Sequence, residues 1–363
     1  MAERISPDID DKPKHRSFAD ALIGQPGGIH LKELLQIREV GWNADELDIH
    51  YANQRRVADS PNFQTENAWF QKMKTIFREL DTHAGIVPSS GRFTFLDLGF
   101  CPGGFTSYIL ACNAAARGTG ISLPFNQSGH AYLLEESLRW RFEPHFGDLG
   151  FYNLLNEDLT LYLRNVSLRK LPHTILNSHY DLVILDGHYL RTYVDPSHEA
   201  PIGRWEANRL MISQIIISLQ SIASGGTAVM KLSRPEHYYT AAILYMLDEI
   251  STSLELVKPL TMHRTRGTFY AVAKGIGASN HLQKKKEEYL FQFRLLWYEI
   301  SFGGTAGQGR FIDGHGKDLD FIASYDQLRS GYMERLAYLS KDVWRIQMEA
   351  LHEQFRRRGI ISW

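Results

Sequence analysis

Cysteine is nearly missing from this chain: Cys101 and Cys112 are the only two in 363 residues. Two thiols make neither a disulfide framework nor a structural zinc centre, and their scarcity fits a reducing intracellular compartment, cytoplasmic or nuclear. Long hydrophobic runs are missing too. No apolar stretch approaches the roughly 18 residues of a membrane span. Residues 1–16 carry Glu3, Asp8, Asp10 and Asp11 with no apolar core, so they read as neither a signal nor a transit peptide. Charge of one sign is also lacking, since 40 Lys and Arg against 41 Asp and Glu leave a net charge of −1. A neutral chain exerts no global pull on a polyanion, so any RNA contact has to come from local basic patches. No internal repeat and no low-complexity tract occurs. What is present is a 44% hydrophobic share, enough for a full core.

Residues 93–108 organise the rest: Phe-Thr-Phe-Leu-Asp-Leu-Gly-Phe-Cys-Pro-Gly-Gly-Phe-Thr-Ser-Tyr. Phe93, Phe95 and Leu96 read as a short buried strand with Asp97 at its carboxyl end. Gly99, Gly103 and Gly104 fill the turn that follows, and residues 105–116 are apolar at helical spacing. Such an order presents backbone N–H groups at a helix start, beside the crevice where doubly wound sheets bind ligands. Glycine there permits close backbone approach and positive φ. The turn does not read Gly-x-Gly-x-x-Gly, the dinucleotide fingerprint. The next strand, residues 118–123, is followed by Pro124-Phe125-Asn126-Gln127-Ser128-Gly129 with no acid, which also speaks against NAD.

Further along, residues 140–146 read as a third strand ending at Gly147-Asp148. Tyr180-Asp181-Leu182-Val183-Ile184-Leu185-Asp186-Gly187 is a continuous apolar run, as a central parallel strand requires, with Asp186 at its carboxyl end. His188 beside it reads as a loop residue. Residues 209–223 form an apolar-striped helix that Ser224-Gly225-Gly226 is expected to end. Residues 227–232 make the next strand and place Lys231 near its end, where a charge is costly to bury unless paired. Residues 254–275 close the sheet as a hairpin. The alternation predicts a Rossmann-like, doubly wound α/β fold, mainly parallel with one final antiparallel strand.

These stretches together resemble the FtsJ/RrmJ-like 2′-O-ribose methyltransferases over roughly residues 68–275. Asp-Leu-Gly-x-x-Pro-Gly-Gly-Phe-Thr is similar to their S-adenosylmethionine loop. The resemblance implies a cofactor site at Asp97, Gly99, Pro102, Gly103, Gly104, Phe105 and Thr106, with Asp148 at the adenine and Asp186 beside the methyl group. It implies a catalytic set of Lys72, Asp186 and Lys231, without a metal. Lys72 lies in Ala68-Trp69-Phe70-Gln71-Lys72-Met73 on the helix before the first strand, and Lys74 is the alternative. The family's catalytic glutamate falls at Thr268, before Phe269-Tyr270-Ala271-Val272-Ala273, so the charge of the fourth member is missing. A lysine that acts as base has to be neutral, which requires its pKa of about 10.4 to fall.

Three regions are expected: a helical extension over 1–65, the methyltransferase domain over 66–276 and a mostly helical extension over 277–363. Residues 17–51 read as two helices around the turn Pro26-Gly27-Gly28. The expected acceptor is an RNA ribose 2′-hydroxyl, with a small molecule or other non-RNA acceptor as the alternative and a catalytically silent cofactor-binding module as the third reading. RNA binding predicts a basic stripe beside the pocket from Arg55, Arg56, Arg139 and Arg141. An enzyme of small molecules predicts terminal segments that roof an enclosed apolar cavity.

Overall fold

The apolar runs named above become the middle of a seven-stranded sheet. The computed structural model describes residues 13–155, 168–190, 192, 204–303, 309–312 and 317–361. Its strands are β1 (Phe93–Leu98), β2 (Ala116–Ser122), β3 (Phe142–Phe146), β4 (Tyr180–Leu185), β5 (Ile222–Ser233), β6 (Ser253–Val257) and β7 (Thr268–Ile276). They lie in the order β3-β2-β1-β4-β5-β7-β6. Neighbours from β3 to β5 run parallel, and β7 is the expected antiparallel strand, inserted between β5 and β6. The doubly wound fold is therefore as expected.

Side chains alternate between the two faces with the period of two that a strand imposes. Phe93, Phe95, Leu182, Ile184, Val229, Tyr270 and Val272 join one core, together with Phe77 and Leu80 of α4 (Phe63–Ala84) and Ile109 of α5 (Gly104–Cys112). Leu96, Leu98, Val183, Leu185, Met230 and Ala271 join the other core. That side is covered by α8 (Arg204–Ser221), α9 (Tyr238–Ile250) and α10 (Asn280–Phe302). The remaining helices are α1 (Pro13–Ile23), α2 (Ile29–Trp42), α3 (Asp45–Asp59), α6 (Glu136–Arg139), α7 (His173–Leu176), α11 (Tyr325–Gly331) and α12 (Met333–Arg357). No helix among the described residues is long and apolar enough to cross a membrane.

Three local expectations change. The region read as two helices holds three, α1 to α3, with Pro26-Gly27-Gly28 between the first two as expected. The helix read around residues 68–73 is α4, which starts earlier because Asn62 Oδ1 accepts the Thr65 N–H at 2.8 Å and caps it upstream. Ser224-Gly225-Gly226 does not end α8 but lies inside β5. There Tyr180 pairs with Ile222, the register then slips, and Gly225 takes a φ of 81°. Pairing along a central strand outweighs the turn preference of the glycines.

The terminal helices meet the sheet beside Lys231. α2 packs along α12, and Arg38 of α2 reaches the loop after β5, its Nη1 2.6 Å from Glu236 Oε1. The Trp344 indole N–H of α12 donates to the other oxygen of Glu236 at 3.0 Å. Arg38 also donates to Gln347 at 2.9 Å. Glu236 is buried, and burial alone raises a carboxyl pKa. The Arg38 guanidinium and His237 outweigh that and hold it down at about 2.

Candidate active site

Four strand ends build the site. Asp97 occupies the second-last position of β1, 1% exposed, and its Oδ2 accepts the Thr106 hydroxyl at 2.8 Å. Its Oδ1 is buried with no partner among the described residues. Burial pushes its pKa up to about 7, against the Thr106 hydrogen bond and with the charge of Asp186. Past β1 the chain turns at Gly99, whose φ is 88°. Its N–H bonds the Ile121 carbonyl of β2 at 2.8 Å. Gly103, φ 109°, precedes α5, and a Cβ on Gly104 would overlap Met73 Cβ and the Phe70 carbonyl at 2.5 Å. Glycine at 104 is what lets α4 lie against α5.

At the end of β4, the Asp186 N–H bonds the Leu98 carbonyl at 3.0 Å, fixing it beside the β1 turn. Gln214 of α8 clamps Gly187 from both sides, accepting from its N–H at 2.9 Å and donating to its carbonyl at 3.0 Å. β5 brings Lys231 alongside: Nζ lies 3.0 Å from Asp186 Oδ1 and 3.2 Å from the Asp186 carbonyl. β7 places Tyr270 opposite Lys231 in register, and its hydroxyl donates to Asp186 Oδ1 at 3.1 Å. Burial, then the Asp186 charge, raise that phenol well above its ordinary pKa. The Lys231 side chain stays 20% exposed, which leaves the amine reachable.

Histidines surround this pair. His188 Nδ1 is 3.4 Å from Lys231 Nζ, and the ring stands exposed on the cleft. The Lys231 ammonium and the environment of the ring push its pKa down, an effect that exposure to solvent softens. The His130 ring lies 6.2 Å from that of His188, and its Nδ1 is 3.6 Å from Glu66 Oε1 of α4. Burial lowers the His130 pKa despite Glu66, and Lys231 adds to the fall. His263, between β6 and β7, is pushed down to about 4 by burial and then by Lys231. Nearby, buried Lys258 donates to the carbonyls of Thr268 and Arg266, and burial lowers its pKa to about 7.

The sequence candidates take distinct places. Asp186 and Lys231 are brought together. Lys72 is exposed on α4, whereas Lys74 pairs with Glu135 at 2.8 Å, and Glu135 also accepts the Ser107 hydroxyl at 2.7 Å. Phe105 packs in the core, its ring 5.2 Å from Phe77 and 5.9 Å from Tyr270, and Thr106 serves Asp97. The Pro102 carbonyl accepts the Leu133 N–H at 2.9 Å. Asp148 both caps the turn that follows, accepting the Gly150 N–H at 2.7 Å, and lines the cleft. Thr268 pairs with Ser233, diagonal to Lys231, and is half-buried. Arg141 cannot join a basic stripe: it is buried and donates to the carbonyls of Leu110 and Asn113, closing the end of α5. Sequence reasoning missed Glu66, His130, Gln214 and Tyr270 as site residues. The place of His188, directly after Asp186-Gly187, was the one available signal.

The cleft between these ends is open to solvent, with Gly99, Ser122, Asp148, Gly187 and His188 in its lining. A nucleoside cofactor fits this setting. Gly99 lets the turn after β1 lie against the Gly187 backbone, which a Cβ would strike, and the orphaned Asp97 oxygen stands ready for a donor. Among the described residues, no group of three or more His, Cys, Asp or Glu side chains could hold a metal ion.

A family model described as FtsJ-like methyltransferase matches residues 71–276, over half of the chain. Cap-specific mRNA (nucleoside-2′-O-)-methyltransferase 1 of Dictyostelium discoideum is 22% identical over 220 residues, which are 56% of this chain and 28% of that relative. The matched stretch thus spans under a third of the relative's length. Two solved structures are also similar. The N-methyltransferase NodS of Bradyrhizobium japonicum, in complex with S-adenosyl-L-homocysteine, is 17% identical with a TM-score of 0.35, covering 61% of this chain and 90% of its own. A TehB-like S-adenosylmethionine-dependent methyltransferase of Corynebacterium glutamicum is 13% identical with a TM-score of 0.32, covering 63% and 97%.

Proposed function

Since the chain belongs to the FtsJ-like methyltransferase family, we propose that it transfers a methyl group from S-adenosylmethionine to a ribose 2′-hydroxyl of RNA, in the cytoplasm or nucleus. The observation that carries this reading is the Lys231–Asp186 ion pair at 3.0 Å, set where β4 and β5 open onto the glycine turn. The cofactor, when bound, supplies an electrophilic methyl group on a sulfonium centre.

Every other contribution comes from the chain. The turn from Gly99 to Gly104 holds the cofactor by its backbone, Asp97 Oδ1 and Asp148 accept its donors, and Ser122 flanks them. Lys231 orients the acceptor oxygen through its amine, while Asp186 and Tyr270 keep that amine in place. Orientation of this kind supplies much of the acceleration in a transfer between two bound reactants. Local cations of the kind a neutral chain needs for RNA lie on α3 and on the β6–β7 loop. Arg55 and Arg56 stand on the helix, and exposed Arg264 and Arg266 stand on the loop. Arg266 lies over the Tyr51 ring of α3, 5.9 Å from its centroid, so the two elements form one surface. Lys72, exposed on α4, is not needed for this arrangement.

Calorimetric titration with S-adenosylmethionine, followed by methyl-transfer assays on RNA and on metabolite pools, tests the reading. Wild type and Lys231→Ala are expected to bind the cofactor alike, Gly103→Arg to lose binding, and only wild type to methylate RNA. Transfer to metabolites but not to RNA would move the acceptor class, and no cofactor binding would end the proposal.

A further inference from the structure

Basic segments far apart along the chain meet on α3. Arg358, at the end of α12, has its Nη2 3.0 Å from His50 Nδ1. Arg266, on the β6–β7 loop, donates to Gln54 Oε1 and lies over the Tyr51 ring. Gln54 in turn stands 3.0 Å from the other ring nitrogen of His50. Neither arginine forms an ion pair among the described residues, and the groups they meet are neutral. Burial, then Arg358 and Arg266, lower the His50 pKa, so the ring between them is uncharged at pH 7. Arg55 follows Tyr51 by one helical turn, on the same face of α3, with exposed Arg56 beside it. Arg264 on the loop and Arg356 and Arg357 in the last turn of α12 are exposed as well. Carboxylates are few here. Glu353 is shared by Arg357 at 2.5 Å and Arg264 at 3.6 Å, and Asp59 closes α3. The other acids of α3, Asp45, Glu46 and Asp48, sit in its first turn, at the opposite end. Cations gathered in this way repel one another, and a polyanion supplies the missing countercharge.

We propose that α3, the β6–β7 loop and the end of α12 form one platform that binds the phosphates of single-stranded RNA, the strand that carries the acceptor nucleotide. The inference rests on the RNA methyltransferase reading above and adds the α12 cluster to it. The family match over residues 71–276 covers neither α3 nor α12, so the terminal extensions grip the substrate while the sheet transfers the methyl group. The loop ties the two together. Buried Lys258 donates to the carbonyls of Arg266 and Thr268, and the Gly267 carbonyl accepts the N–H of Arg234, just after Lys231 at 3.0 Å. His263, on the same loop, senses the charges of both Lys231 and Arg266. A strand laid over these arginines is thereby led toward Lys231. The exposed guanidinium of Arg266, backed by the Tyr51 ring, offers a planar face on which an unpaired base can stack. Bases in a duplex are already stacked on each other, so the platform suits a single strand.

Fluorescence anisotropy of labelled oligouridine, titrated with the full chain over a range of salt concentrations, reads the platform without turnover. The deciding variant combines Arg266→Gln with Arg358→Gln, both at exposed positions. It is expected to bind about tenfold more weakly. The slope of log Kd against log salt is expected to flatten by about 1.4, roughly 0.7 for each lost phosphate contact. Cofactor affinity and melting temperature should match wild type. Arg117→Gln, exposed on β2, is the control and should bind RNA as wild type does. Affinity of the double variant within about twofold of wild type, an unchanged slope, or an equal loss in the control overturns the proposal. So does a wild type that ignores oligouridine at low salt, and sedimentation with phosphatidylserine vesicles would then assign the surface to a membrane. Duplex RNA held as tightly through the same arginines would overturn the choice of a single strand. A wild type that grips RNA here but methylates none strikes the function above and leaves the platform supported. RNA methylation with an unaffected double variant does the reverse.

Discussion

Gly99 and Gly187 touch across the carboxyl ends of β1 and β4: a Cβ on Gly99 would stand 2.5 Å from both the Cα and the N of Gly187. The contact forms the floor of the cleft and draws Asp186 to the turn that follows β1. Gly99→Ala is expected to cost roughly 1–3 kcal/mol for the left-handed backbone, with the overlap added, and to weaken cofactor binding by more than Lys231→Ala does. Thermal melts and titration check both. A variant as stable as wild type would show that the two turns can part without consequence.

Asp97 predicts a pH dependence. Its pKa is about 7 in the folded chain against an ordinary 3.8, so between those values the folded state holds a proton that the unfolded state has released. Stability therefore falls as pH rises through this window, by about 4 kcal/mol in all from this group. Asp97→Asn keeps an acceptor for Thr106 and removes the titration. Melting curves from pH 4 to 7 are expected to decline more steeply for wild type than for the variant. Parallel curves would refute the assignment.

Tyr270→Phe removes one of the donors on Asp186 Oδ1 and leaves the ion pair with Lys231. A hydrogen bond to a charged group is worth about 1.5–3 kcal/mol, and its loss frees the carboxylate to turn. The expected result is a kcat lowered about tenfold with unchanged cofactor affinity, read by single-turnover kinetics. Unchanged kcat would mean that the phenol only fills space.

Arg38→Met leaves Glu236 as a buried, uncompensated carboxylate, expected to cost about 3–5 kcal/mol at pH 7. The wild-type carboxyl sits near 2 rather than 4.5. Its stabilising contribution is full above 4.5 and disappears as pH falls toward 2. The difference between the two proteins should thus shrink on acidification. Urea titrations at pH 7 and pH 3 measure it. A constant difference would point to lost packing rather than lost charge.

Local chemistry explains which parts were legible in the sequence. The strand, glycine turn and helix around Asp97 are neighbours along the chain, so their spacing carries the message. Asp186 and Lys231 close apolar strands, and a doubly wound sheet brings such ends together by itself. Glu66 gave no such signal, because an acid in the first turn of a helix is what the helix dipole favours anyway. It meets His130 only through tertiary packing. Phe105 shows the converse: it follows the glycines directly, yet the first turn of α5 directs its ring into the core. Arg141 read as a surface cation, but its buried guanidinium donates to the carbonyls of Leu110, Asn113, Ala114 and Ala116 where the chain passes from α5 to β2.

The node at Glu236 also sets an order of assembly. Arg38 is synthesised before the carboxylate it pairs with, and Trp344 more than a hundred residues after it. A growing chain can neutralise Glu236 as soon as β5 has docked on β4. The indole that fixes its second oxygen arrives only with α12. The loop that follows Lys231 therefore gains its last restraint after every strand of the sheet has been made, and the neighbourhood of Lys231 is the last to set.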